Sequence, residues 1–273
     1  MHQLHQQACD AGLSSYTDPD TGFMVFTEIG LRQRGRCCGC SCRHCPYAHD
    51  GVPLRKRAQV AKRPTVLSNT QLPDTPADIL FWSGGKDSFL AYLALRQEGA
   101  PLPVLLTTYD ANTRVIANQE ISIDLVIRQA NHLNLPLIGV PLQPSYEYND
   151  LVIPALSLVS SAQRLIFGDL HLQHIRQWRE QNFLDQSHKT PLHFPLWHKP
   201  YSVLLDMLEA SNVPCKICAL DSALQPSVKE GALFNRTFVQ QLPPQVDAFG
   251  ENGEFHTIAH VWEVCESSLE IPV

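Results

Sequence analysis

Nowhere in its 273 residues does the chain carry an apolar run approaching the roughly 20 residues that a membrane-spanning helix needs. No membrane partner is therefore expected. The opening stretch, Met1 to Gln7, has neither the basic region nor the apolar core of a signal peptide, which points to the cytoplasm. Internal repeats and low-complexity tracts are missing too. Charged residues make up only 18% against 44% apolar ones, a balance that excludes disorder throughout and leaves enough apolar material for one large core plus an appendage. Also absent is Gly-x-x-x-x-Gly-Lys-Ser/Thr, so any phosphate loop here is not a Walker A loop.

What is present is a different glycine turn. Ile79-Leu80-Phe81-Trp82 reads as a buried strand, Phe89 to Leu95 as an amphipathic helix, and Ser83-Gly84-Gly85-Lys86-Asp87-Ser88 joins them. Two glycines let the backbone approach a ligand, two hydroxyls donate, and the helix N-terminus adds partial positive charge, so the turn suits a polyphosphate. Lys86 adds a full charge. Asp87 beside a phosphate makes sense mainly with a divalent cation such as Mg²⁺ between them.

Beyond this turn, short apolar strands at 103–108, 136–141 and 164–167 alternate with helices near 121–133, 150–161 and 172–181. The pattern predicts an α/β fold with a parallel sheet covered on both faces, and ligands at the carboxyl ends of the strands. Ser83, Thr107-Thr108 and Gly168-Asp169 fall at such ends. A helix near 201–210 and a strand near 216–220 follow.

SGGKDS on a strand-to-helix turn resembles the PP-loop of the ATP pyrophosphatase superfamily. Phe167-Gly168-Asp169-Leu170-His171, Phe194-Pro195-Leu196-Trp197 and Gly250-Glu251-Asn252-Gly253-Glu254-Phe255-His256-Thr257 sharpen this to its diphthine-ammonia ligase-like branch, over roughly residues 78–262. The resemblance implies a Rossmann-like (HUP-type) domain, ATP and Mg²⁺, and an amidoligase that adenylates a carboxylate, releases pyrophosphate and forms an amide with ammonia. It assigns nucleotide contacts to Ser83, Gly84, Gly85, Lys86, Asp87, Ser88, Gly168 and Asp169, and catalytic roles to Lys86, Asp87, Glu251 and Glu254, with Gly253 and His256 completing the site. Paired carboxylates there can bind a cation or take a proton from the attacking nitrogen; a plain turn cluster is the competing reading. Asn118-Gln119 and His198-Lys199 depart from that branch's pattern in substrate regions, so the carboxylate acceptor, a protein or otherwise, stays open. A PP-loop sulfur transferase acting on tRNA and a non-catalytic nucleotide-binding regulator are the alternative functions.

Five of nine cysteines, Cys37, Cys38, Cys40, Cys42 and Cys45, crowd into nine residues. Loops that short make poor disulfides and good metal sites, so zinc or an iron–sulfur cluster in a reducing compartment is expected. The stretch resembles a small cysteine-rich domain of unknown function. Residues 1–65 hold nine Lys and Arg against five Asp and Glu, a basic arm that suits an anionic partner, RNA or an acidic protein, although a solvated linker rich in Arg is the commoner cause of such asymmetry. The expected organisation is a cysteine-rich module at 1–47, a linker at 48–77 without apolar periodicity, an ATP-binding domain at 78–222 and a substrate-side segment at 223–273.

Overall fold

The computed structural model describes residues 2–19, 24–39, 42–47, 51–52, 63–143, 146–184, 190–221, 224 and 228–264. Cys40, Arg55 and Arg57 lie outside these. Among the described residues no helix is long and apolar enough to cross a membrane.

At the N-terminus a helix α1 (His2–Asp10) leads to a two-stranded antiparallel ribbon, β1 (Ser15–Thr17) and β2 (Met24–Phe26), and a short helix α2 (Glu28–Arg32). Thr27 caps α2: its hydroxyl accepts the Gly30 amide at 3.1 Å and donates to the Leu13 carbonyl at 2.7 Å.

The main body then runs β3 (Thr65–Val66), β4 (Ala77–Phe81), α3 (Lys86–Gln97), β5 (Val104–Asp110), a small hairpin β6 (Val115–Ile116) and β7 (Ile121–Ser122), α4 (Ile123–His132), β8 (Leu137–Leu142), α5 (Tyr148–Leu156), β9 (Ala162–Ile166), α6 (Gln173–Leu184) and β10 (Leu192–His193). Six of these strands form one sheet in the order β10-β9-β4-β5-β8-β3. Its five inner pairings are parallel except the last, where β3 meets β8 antiparallel at the edge. The stretch 48–77 therefore contributes a strand to the sheet. The Ser68 hydroxyl reinforces that edge by accepting the Leu137 amide at 2.8 Å.

Side-chain alternation explains why helices cover both faces. On one side Leu80, Leu105, Leu137 and Ile166 join a core with α3 and α4; on the other Ile79, Val104, Ile138 and Leu165 join a second core with α5 and Phe183 of α6. Successive strand residues point to opposite faces, so each apolar run feeds both cores.

The remaining chain is α7 (Tyr201–Ala210), β11 (Cys215–Leu220), β12 (Leu233–Phe234), α8 (Arg236–Gln241) and β13 (Phe255–Ala259), with the three strands in an antiparallel sheet ordered β12-β11-β13. This second sheet spans both sides of position 222, so β11 belongs structurally with the C-terminal segment. Both α7 and β13 pack on α3. As a result Phe89 to Leu95 are buried all round rather than on one face, which departs from the amphipathic helix expected from the sequence.

Candidate active site

The chain steps outward from β4 to β5 and β8, then jumps back so that β9 lies on the other side of β4. That reversal leaves a crevice between the carboxyl ends of β4 and β9, the place where open α/β sheets take ligands. A cavity of about 740 Å³ opens there. Its walls include Ser83, Lys86, Asp87 and Ser88 after β4, Thr107 and Thr108 of β5, Gly168 and Asp169 after β9, and Glu251, Gly253 and His256 of the C-terminal segment. Residues expected from distant parts of the sequence thus meet on one cleft.

The glycine turn is built from the inside. Gly84 has φ +82°, a conformation that L side chains rarely adopt, and an added Cβ would sit 2.7 Å from Gln129 Oε1. Gln129 is fully buried and makes three bonds: Nε2 donates to the carbonyls of Gly84 at 2.9 Å and Ala259 at 2.7 Å, and Oε1 accepts Trp82 Nε1 at 2.8 Å. Gly85 caps α3 without a side-chain oxygen, which leaves the helix N-terminus, apart from the Lys86 amide, to the cleft. The Lys86 amide donates to Thr257 Oγ1 at 3.0 Å, and the Ser88 hydroxyl to the Gly85 carbonyl at 3.0 Å. Gly168 approaches so closely that a Cβ there would lie 2.7 Å from the Asp87 carbonyl.

The carboxylates fall into two kinds. Asp169 is held by Arg179 in a two-point pair at 2.6 and 3.1 Å, and Glu254 accepts the Asp247 amide at 2.9 Å and the Asn252 amide at 3.0 Å. Glu254 does not line the cavity; it holds the turn that Glu251 sits on, in keeping with the turn-cluster reading of that position. Asp87 and Glu251 face the cavity instead. Asp87 Oδ2 pairs with Lys86 Nζ at 2.9 Å, whereas its Oδ1 is buried with no hydrogen-bond partner among the described residues. Thr107 Oγ1 on the opposite wall is equally unpartnered.

Electrostatics follow from that crowding. Burial pushes the Asp87 carboxyl up against the opposing pull of Lys86, and Asp169 adds to the rise. Glu251 is raised to about 8 by burial, then by Asp87, with Asp247 and Asp169 contributing. His256 is lowered to about 4 by burial and by Lys86, so it is neutral at pH 7. An oxygen-only set with an unpaired buried carboxylate oxygen fits a hard divalent cation that takes one or two protein carboxylates and completes its shell elsewhere.

Lys86 is less exposed than a phosphate ligand reading suggests. It is 3% exposed, and its ammonium lies 5.3–5.7 Å from the ring centres of Phe234, Phe249 and Phe255. Tyr201 was not anticipated: its hydroxyl donates to Asp247 at 2.9 Å while its ring stacks on Phe249. Nor was Gln129, since a glutamine in the middle of an amphipathic helix carries no local signal. Asn118 and Gln119 line the cavity, whereas His198 and Lys199 do not.

In the N-terminal module the described cysteines form two close thiol pairs, Cys38 with Cys42 at 3.1 Å and Cys37 with Cys45 at 3.7 Å, and none is in a disulfide. Cys215 is packed in the second sheet, its thiol raised by burial. Pro19 of the module borders the main cavity.

Residues 4–51 match a family of unknown function, DUF5522. The match takes in most of α1, all of α2 and the cysteine-rich stretch, and stops short of the α/β body.

Proposed function

We propose that this protein is an ATP-dependent amidoligase of the PP-loop type, resembling the diphthine-ammonia ligase-like branch. The observation that carries this reading is the unpartnered, buried Asp87 Oδ1 beside a glycine turn and an open helix N-terminus at the sheet's switch point. Asp87 would hold Mg²⁺, which when bound offsets triphosphate charge and steadies the departing pyrophosphate.

In the reaction, an acceptor carboxylate oxygen attacks the α-phosphorus of ATP, the bond to the bridging β-oxygen breaks, and pyrophosphate leaves. Ammonia then attacks the acyl carbon, AMP departs, and the nitrogen loses a proton as the amide forms. The α3 N-terminus and the Ser83 and Ser88 hydroxyls bind phosphate oxygens. Glu251, with a pKa near 8, sits in the range where a carboxyl exchanges protons at neutral pH and takes the proton from nitrogen. Asn118 and Gln119 contact the acceptor side. The cysteine pairs hold zinc or an iron–sulfur cluster, and the basic arm recruits an anionic partner.

The test is product analysis. Full-length protein with Mg²⁺, α-labelled ATP, ammonium and fractions of a cell extract should yield AMP and pyrophosphate, with turnover in only some fractions. ADP and phosphate as the sole products would remove the adenylation mechanism.

A further inference from the structure

The helices α1 and α2 bring together three metal-ligating side chains that no sequence spacing announces. His5, Cys9 and Glu28 each offer one ligand atom, and the three atoms lie within 4.8 Å of one another. His5 and Cys9 are one helical turn apart and therefore share a face of α1. Glu28 is the first residue of α2.

Their meeting is fixed by the backbone around them. The Thr27 amide donates to the Ser14 carbonyl at 3.0 Å, the Thr27 hydroxyl ties the same segment to Leu13, and Gly30 packs directly on Ser14, where a Cβ would collide with the Ser14 carbonyl oxygen. Thr27 is fully buried, so α2 has little freedom to carry Glu28 away. The His5 ring is held as well: it stacks on His44 at 3.6 Å with 9° between planes, and His44 Nε2 meets the Tyr16 hydroxyl at 2.9 Å. Orientation of a ligating imidazole by neighbours of this kind is what a metal site requires.

Distance and chemistry select the ion. A tetrahedral zinc with bonds of about 2.3 Å to sulfur and about 2.0 Å to nitrogen sets those two ligand atoms ~3.6 Å apart. Cys9 Sγ lies 3.7 Å from His5 Nε2 and 3.8 Å from Nδ1, so the separation already suits a shared ion, and a turn of the imidazole that aims one nitrogen's lone pair at that ion completes the pair. One imidazole, one thiol and one carboxylate make a borderline-soft set that suits Zn²⁺ rather than Mg²⁺ or Ca²⁺. Among the described residues, the cation that pairs with Glu28 is Arg32, at 3.9 Å.

We propose that His5, Cys9 and Glu28 form a zinc site on the N-terminal module, with three protein ligands and a fourth position open to water or another donor. It is a separate ligand set from the cysteine pairs, and it does not rest on the ATP chemistry. Binding there would clamp α1 to α2.

The probe is Zn²⁺ alone on reduced, chelator-treated full-length protein, read by iodoacetamide alkylation of each cysteine in peptide mass spectra. Zinc should slow alkylation of Cys9 at least tenfold in the wild-type protein. His5→Ala and Glu28→Ala should each abolish that protection while Cys38 and Cys42 behave as in the wild type. Unchanged Cys9 alkylation in the wild-type protein with saturating Zn²⁺ overturns the proposal without recourse to any variant. Protection that survives in both variants also overturns it, because the protection then comes from other ligands.

Discussion

The hydroxyl of Thr257 accepts the backbone amide of Lys86 at 3.0 Å, joining residues 171 positions apart. Two residues further along the same strand, the Ala259 amide donates to the Gly84 carbonyl at 2.9 Å, and Gln129 bridges the Gly84 and Ala259 carbonyls. The C-terminal sheet is thus a structural wall of the glycine turn. Any ligand on that turn also reads the C-terminal segment, which brings Glu251 and His256 to the same cleft.

Gln129→Leu removes a donor to two buried carbonyls and the acceptor for Trp82. Each unsatisfied buried group costs about 1–3 kcal/mol, so the variant should lose about 3 kcal/mol of stability after partial relaxation. Chemical denaturation of the two proteins measures it. Gln129→Glu sets a buried carboxyl against the same two carbonyls and should be no more stable than Gln129→Leu, with its stability falling as pH rises; equal stability of all three proteins would contradict the bridging role.

Asp87→Asn should lower the melting temperature modestly, because Lys86 is 3% exposed and loses the carboxylate paired with it, while the three phenylalanine rings around its ammonium limit the loss. Magnesium-dependent ATP turnover should fall at least tenfold. Calorimetric titration of Mg-ATP into both proteins separates binding from chemistry, and identical Mg²⁺ dependence in the variant would count against Asp87 as the cation ligand.

Burial, and then Asp87, pushes the Glu251 carboxyl up to about 8 in the folded protein from its ordinary value of 4.5. The native state therefore binds the extra proton between these values, and its stability contribution, fully present below the unfolded pKa, is lost as pH rises through 8. Wild-type protein without added metal should lose stability relative to Glu251→Gln from about pH 5 to 8 and level off above that. Parallel melting curves for the two proteins across that range would show that Glu251 keeps an ordinary carboxylate pKa.

A truncated chain beginning at Arg63 keeps β3, the Ser68–Leu137 bond and every cavity residue named above except Pro19. It should fold and bind ATP within about threefold of the full-length protein, equivalent to ~0.7 kcal/mol. A start at Thr75 deletes the edge strand and should lower the melting temperature clearly further. Loss of nucleotide binding by the folded Arg63 chain would mean that the module contributes to the cleft well beyond Pro19.

Local pattern carried much of this architecture. Apolar runs of four to seven residues alternating with helical periodicity specify strands and helices within a few positions from 79 to 220, and Gly84 and Gly85 specify a tight strand-to-helix turn, because such signals depend only on neighbours in the chain. The expected sites at 83–88, 168–169, 251 and 256 follow from the same motifs. Partner choice is another matter. That β9 returns to β4 and presses Gly168 on Asp87, that Gln129 and Thr257 support the turn, that Lys86 is enclosed by three phenylalanines while Glu254 holds a turn, and that His5, Cys9 and Glu28 converge were all decided by packing. Buried polar groups must find partners wherever the folded chain places them, and contacts between residues far apart in sequence leave no period or spacing to read.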